Sequence, residues 1–176
     1  MLELAAHILD IAENSVRAGA SLVEITIIED EEKNIFSIEI NDNGCGMTEE
    51  EIKKVFDPFY TTKKVRRVGL GVPLLSDAAQ RAGGDLRLTS VKGKGTNLKV
   101  TFELNHIDRQ PLGDIVGTLI ILIAGNCNVD FLYRHRHNDR QFELDTRDIR
   151  KEIGDIPVNH PEILKYIRSL LEEEKY

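Results

Sequence analysis

The 176-residue sequence has no tryptophan, two cysteines, five prolines and 6% aromatic residues. Cys45 and Cys127 stand far apart, with no second Cys or His at metal-ligand spacing. That excludes a disulfide scaffold and a zinc finger and suits a reducing compartment. Long apolar runs are also missing. The longest, Ile115 to Ala124, is broken by Gly117 and Thr118 and reaches about half of the roughly 20 residues that a bilayer span needs. The first residues, MLELAAHILD, lack a basic start, an apolar stretch and a small-residue cleavage site, so no signal peptide is expected. Positive charge is in short supply, with Lys+Arg 23 against Asp+Glu 30 and a net charge of −7. A surface of that sign repels nucleic acid unless a local basic patch intervenes. The expectation is a cytoplasmic protein that binds neither nucleic acid nor membrane. Three nucleotide fingerprints are absent as well. Gly93-Lys94 lacks the upstream glycine of a P-loop, no Gly-x-Gly pair extends to Gly-x-Gly-x-x-Gly, and the HRD and DFG triplets of protein kinases do not occur.

A composition of 41% hydrophobic and 30% charged residues describes an ordinary globular protein. The length suffices for one domain with a sizeable core, alone or with a small appendage. Leu4, Ile8, Ile11 and Val16 form a helical stripe over residues 2–17, closed by Gly19. Residues 22–28 and 34–40 read as strands joined by an acidic turn. Thr48 with Glu51 is a capping box opening a short helix that reaches Phe56, and Asp57-Pro58 ends it. A helix over 72–81 closes at Gly83-Gly84, and strands over 85–91 and 96–104 flank the turn 92–95. After a connector over 105–111, the pattern predicts a helix over 112–124, a hairpin over 129–144 and helices over 146–152 and 161–174. The division expected is a domain over 1–104, then a C-terminal extension or small subdomain over 105–176.

Three segments carry polar groups suited to a phosphate-bearing ligand. Asp10, Asn14 and Arg17 stand at i, i+4 and i+7 on one helix face, offering water orientation, a hard-cation oxygen and a phosphate partner. A solvated amphipathic face has the same pattern. Asp42-Asn43-Gly44-Cys45-Gly46 follows a strand directly. Its glycines allow close approach of a flat ligand, and its carboxylate can accept from an exocyclic amine. An ordinary Asn/Gly turn reads alike. Gly69-Leu70-Gly71 opens a helix after Lys63, Lys64, Arg66 and Arg67, which favours an anion or describes a solvated basic loop.

The order of these pieces is more specific than any one of them. Asp10-x-x-x-Asn14, Asp42-x-Gly44-x-Gly46, the run from Phe56 to Lys63, Gly69-Leu70-Gly71 and Gly93-Lys94-Gly95-Thr96 resemble the successive boxes of the GHKL ATPase superfamily. That superfamily includes the gyrase B subunit, a heat-shock chaperone, sensor histidine kinases and a mismatch-repair ATPase. The stretch 56–71 looks most like the ATP-binding domain of histidine kinases, and 13–20 more like the mismatch-repair branch. The resemblance implies the Bergerat fold: an α/β protein, an α+β two-layer sandwich with a mixed sheet covered by helices on one face. It implies ATP and Mg²⁺ as ligands. Asn14 would ligate the metal, and Asp42 would accept from the adenine 6-amino group. Gly44 and Gly46 would shape the purine slot, with Thr96 closing it. Lys63, Gly69, Leu70 and Gly71 would meet the phosphates, together with Arg17. Asp10 stands where ATPase branches place a water-orienting glutamate.

Two departures from the family pattern bear on activity. Asp10 is one methylene shorter than glutamate, which makes hydrolysis slow or partner-dependent. Arg67 stands at the first glycine of the usual lid, stiffening it while adding positive charge. None of the histidines, at positions 7, 106, 135, 137 and 160, lies in a phospho-accepting dimerisation signature. His7 is expected to be packed, and His135 and His137 to lie on the surface without a third metal ligand. The implied function is an ATP-dependent regulatory kinase or slow ATPase acting on a protein partner. The alternative is a nucleotide-gated binding module. Oligomeric state is left open.

Overall fold

Period-two alternation is what makes residues 22–42 a hairpin. Leu22–Asp30 (β1) and Ile35–Asp42 (β2) pair antiparallel, with Ile25 opposite Ile40 and Ile27 opposite Ile38. Asn34, at φ 53°, turns the chain between them. The structure is a computed structural model that describes residues 3–57, 59 and 71–173. Its first helix, α1, runs over Leu4–Arg17, and α2 over Glu49–Val55. Further along come α3 (Gly71–Arg81), β3 (Asp85–Val91), β4 (Gly95–Glu103), α4 (Ile115–Gly125), β5 (Asp130–His137), β6 (Arg140–Asp145), α5 (Thr146–Ile153) and α6 (Pro161–Glu173). The capping box expected at α2 is present, with Thr48 and Glu51 exchanging both bonds.

The six strands form one sheet in the order β3-β4-β2-β1-β5-β6. The β1–β5 pair is parallel and the other four are antiparallel, so the sheet is mixed. Because side chains alternate across a strand, the register sends Val23, Ile25, Ile27, Phe36, Ile38, Ile40, Val100, Phe102 and Phe131 to one buried face. That face carries the helices. α1 packs against α3 and α4, α4 packs against α6, and their apolar stripes complete a continuous core. The opposite face is polar and laced across strands: Arg134 bonds Glu143 and pairs with Glu24, Asn41 donates to Glu24, and Asn97 donates to Glu39.

The segment after residue 104 enters the same sheet. β5 adds to the edge of β1 from Leu22↔Asp130 to Glu29↔His137, and Leu119 and Leu122 of α4 bury completely against the core. This geometry corrects the expectation that His135 is a surface residue. It faces the helix-covered side, only 14% exposed, bonded to Glu29 at 2.7 Å and to the Tyr133 hydroxyl at 3.3 Å. No helix among the described residues is long and apolar enough to cross a membrane.

Candidate functional site

A cavity of about 390 Å³ opens between α1, α2, the start of α3 and the adjoining ends of β2, β3 and β4. Small-molecule sites run from about 300 to 1,000 Å³, so one ligand of nucleotide class fits the scale. Its walls are apolar where Ile11, Ile40, Leu88 and Leu98 meet, and its polar groups gather at two ends.

Asp42 marks the inner end. It is the last residue of β2 and only 8% exposed. Burying a carboxylate is costly unless it is hydrogen-bonded, and here both oxygens are engaged. The Ser15 hydroxyl donates to Oδ2 at 2.6 Å, and the Gly44 backbone N–H donates to Oδ1 at 2.9 Å. Both partners donate, so the carboxylate faces the cavity as an acceptor. The glycines around it are close-approach positions. A Cβ on Gly44 would meet Ala18 and Asp42 Oδ1 at 3.0 Å, and Gly46 takes φ 64° with its missing Cβ directed at the Val91 carbonyl. Thr96 sits on β4 in register with Asp42 and bonds Ser90 through its hydroxyl at 2.8 Å.

The outer end is built on α1. Helical spacing puts Asp10, Asn14 and Arg17 along the cavity wall. The Arg17 guanidinium donates to Asn14 Oδ1 at 2.8 Å and to Glu13 Oε2 at 2.9 Å. Asp10 lies against the first residue of α3, where its Oδ2 fills the space that a Cβ on Gly71 would need. The structure thus brings Asp10, Asn14, Arg17, Asp42, Gly46, Gly71 and Thr96 to one cavity, with Gly44 bonded to Asp42 beside it. Lys63, Gly69 and Leu70 lie outside the described residues.

Ser15 lines the cavity and holds Asp42, and it is not among the residues that the sequence marked for the site. Its signal was a small hydroxyl four residues after Ile11, on the buried side of α1 and beside Asn14. Cys45, Met47, Glu51 and Lys92 also line the cavity. Glu51 is held below the usual carboxylate range, first by the Thr48 backbone N–H and then by Lys92.

The donor set suits a hard cation. Asn14 presents its amide oxygen, the atom already accepting from a cationic side chain, with the Asp10 carboxylate one turn away. Among the described residues no group of three His, Cys, Asp or Glu gathers to hold a metal. A cation at Asn14 would therefore draw further ligands from water and phosphate, the usual arrangement of Mg²⁺ with nucleotides.

Comparison with known proteins agrees with this geometry. Residues 2–106 match the family described as "Histidine kinase-, DNA gyrase B-, and HSP90-like ATPase". The sensor histidine kinase WalK of Bacillus subtilis is 34% identical over 93 residues, covering 50% of this chain and 15% of WalK. The signal transduction histidine-protein kinase AtoS of Escherichia coli is 39% identical over 69 residues, covering 39% of this chain and 11% of AtoS. The chain therefore spans a small part of the length of these relatives. The crystal structure of the N-terminal domain of a DNA repair protein superposes with a TM-score of 0.55 at 17% identity, over 82% of this chain and 53% of that one. That likeness concerns the fold.

Proposed function

The chain belongs to the histidine kinase-, DNA gyrase B- and HSP90-like ATPase family, and from that premise we propose that it binds Mg-ATP and regulates a protein partner by phosphotransfer or slow hydrolysis. The observation that carries the reading is Asp42, a buried carboxylate with both oxygens accepting, set in the wall of a cavity that Ile11, Ile40, Leu88 and Leu98 also line. Such a group takes the exocyclic amine of adenine and rejects the carbonyl that guanine places there. Gly44 and Gly46 shape the purine slot by letting the backbone fold closely beside Asp42, and Thr96, in register with Asp42, closes it. Asn14 holds the metal, whose contribution when bound is to neutralise phosphate charge. Asp10 orients the attacking group, and Arg17, Lys63, Gly69, Leu70 and Gly71 receive the phosphates.

The test is titration with a non-hydrolysable ATP analogue, with and without Mg²⁺, on the wild type and Asp42→Asn. Saturable, Mg²⁺-dependent binding lost in Asp42→Asn is expected, and equal binding in both proteins would refute the adenine role. Labelled ATP then separates the outcomes of turnover, since a kinase leaves label on a partner whereas an ATPase releases phosphate.

A second reading has its own support. Asp10 packs directly on Gly71, so occupancy of the cavity bears on the position of α3. In a nucleotide-gated switch, partner affinity changes with the analogue bound and no phosphoprotein appears. The Asp10 carboxylate, short for its role, favours low turnover and suits this reading.

A further inference from the structure

Asn14 Oδ1, the oxygen assigned above to the metal, already accepts from a cation of the chain itself. Arg17 stands three residues after Asn14 and four after Glu13, the two spacings that bring side chains together on a helix. Its guanidinium uses two nitrogens at once, NH1 to Asn14 Oδ1 at 2.8 Å and NH2 to Glu13 Oε2 at 2.9 Å. The carboxamide therefore has its oxygen turned toward positive charge, because its NH₂ group could not accept the bond from NH1. Glu13 steadies the arrangement from outside, and the location in the last turn of α1 suits a positive charge.

We propose that Arg17 is a resident competitor for the metal position: Mg²⁺ and the Arg17 guanidinium contend for Asn14 Oδ1, and loading of Mg-nucleotide moves Arg17 off the amide and onto phosphate. The proposal rests on the Mg-ATP reading above and adds the identity of what the metal displaces. Exposure sets the strength of the latch. The Arg17 and Glu13 side chains are 47% and 42% exposed, and exposed ion pairs of this kind are weak and salt-screened. Such a latch is reversible and does not block the site. It keeps the amide oxygen oriented before the metal arrives and raises the Mg²⁺ concentration needed to load nucleotide. Once displaced, Arg17 still lines the cavity, within range of an anion bound there.

Two effects of opposite sign follow from one side chain. In Arg17→Ala the Mg²⁺ concentration for half-maximal binding of a non-hydrolysable ATP analogue should fall about three-fold, within the range of an exposed pair. The analogue's affinity at saturating Mg²⁺ should weaken in the same variant, because a phosphate partner is gone. Arg17→Lys separates the latch from net charge. Lysine keeps the charge but has no planar fork to span Asn14 and Glu13, so its Mg²⁺ midpoint should also fall while affinity at saturation is largely retained. Calorimetric or fluorescence titration of the three proteins reads both quantities without turnover. An unchanged or raised midpoint in Arg17→Ala overturns the competition. A midpoint that falls in Arg17→Ala but not in Arg17→Lys assigns the effect to general electrostatics and also overturns it. Either result leaves Mg-ATP binding intact, whereas a wild type that binds no analogue at any Mg²⁺ concentration removes the function and this proposal together.

Discussion

The Ser15 hydroxyl donates to Asp42 Oδ2 at 2.6 Å, tying α1 to the end of β2 across 27 positions of sequence. With Gly44 holding the other oxygen, the carboxylate is fixed in direction. Removing one donor from a buried charged group typically costs about 1–3 kcal/mol. Ser15→Ala should therefore weaken ATP-analogue binding roughly five- to ten-fold, because Asp42 loses its fixed orientation. Ser15→Thr, which restores a hydroxyl, should recover most of it. Calorimetry decides the matter, and an alanine variant with wild-type affinity would remove Ser15 from the site.

Gly46 offers a test of the slot's backbone. It takes φ 64°, a left-handed conformation that costs a non-glycine residue about 1–2 kcal/mol, and its Cβ would drive into the Val91 carbonyl. Gly19 is the control, with φ 79° and nothing within 4 Å of the added carbon. Gly19→Ala should lower unfolding free energy by about 1 kcal/mol and Gly46→Ala by about 2–4 kcal/mol, the excess being the steric contact. Urea midpoints compared at equal m-values measure the difference. Equal losses at the two positions would show that the turn yields without cost.

These two positions also mark what a sequence discloses. Gly46 was legible because turn chemistry is local: two glycines after a strand announce a close approach. The helix at Glu49–Val55 was legible for the same reason, through Thr48 and Glu51. The hairpin of β1 and β2 followed from alternation, and the order of the boxes carried the resemblance. Ser15 was hidden because its partner is 27 residues away and a serine in a helix has no pattern of its own. The parallel β1–β5 pairing was hidden for a stronger reason. It joins segments more than 100 residues apart, and a parallel ladder leaves no turn signature between its strands. His135 was misjudged through the same gap, since its surroundings come from β1.

Asp10 and Asn14 should separate by the kind of loss. Asn14→Ala removes the cavity's amide oxygen, so Mg²⁺ should cease to improve analogue binding, with affinity falling to the level seen in chelator. Asp10→Asn keeps size and removes charge. It should retain binding while lowering turnover by about 10²-fold or more, within the range of about 10²–10⁴ for loss of a general base. Binding titrations and phosphate-release rates on the same preparations discriminate the roles. Undiminished turnover in Asp10→Asn would exclude it as the orienting group.

His7 gives the stability a pH dependence near neutrality. The ring is 1% exposed, its Nε2 lies 3.1 Å from the Gln110 side-chain oxygen, and its Nδ1 is buried without a partner among the described residues. Burial lowers its pKa below the ordinary 6.5, outweighing the Gln110 hydrogen bond that raises it. The unfolded chain therefore takes up a proton before the folded one does. The contribution of neutral His7 is complete above about pH 6.5 and declines as pH falls from there toward the folded pKa. Glu29 acts in a separate and lower window. Its pKa is lowered chiefly by the hydrogen bond from His135, so its contribution holds above about 4.5 and is lost in more acid solution. In His7→Leu, the stability gap to wild type should narrow between pH 7.5 and 5.5 in urea unfolding. A gap that stays constant over that interval would mean that His7 titrates alike in both states.

The last prediction concerns the segment after residue 104. β1 is the sheet's fourth strand, and its Val23, Ile25 and Ile27 are fully buried, with β2 on one side and β5 on the other. Removing residues 105–176 turns β1 into an unprotected edge and strips α1 of the α4 surface packed on it. Leu119, Leu122, Phe131 and Ile167 are each almost wholly buried and would all be lost from the core. At about 1.5–3 kcal/mol apiece, their burial is comparable to the 5–15 kcal/mol that separates a typical domain from its unfolded state. The 1–104 fragment should therefore lack cooperative thermal unfolding and dispersed amide resonances, and should bind no ATP analogue. Adding the nucleotide in excess should not rescue it, since ligand binding stabilises only by the logarithm of the ligand concentration relative to Kd. A fragment that unfolds sharply and binds the analogue at wild-type affinity would show that α4, β5 and β6 are accessory to a self-sufficient nucleotide domain.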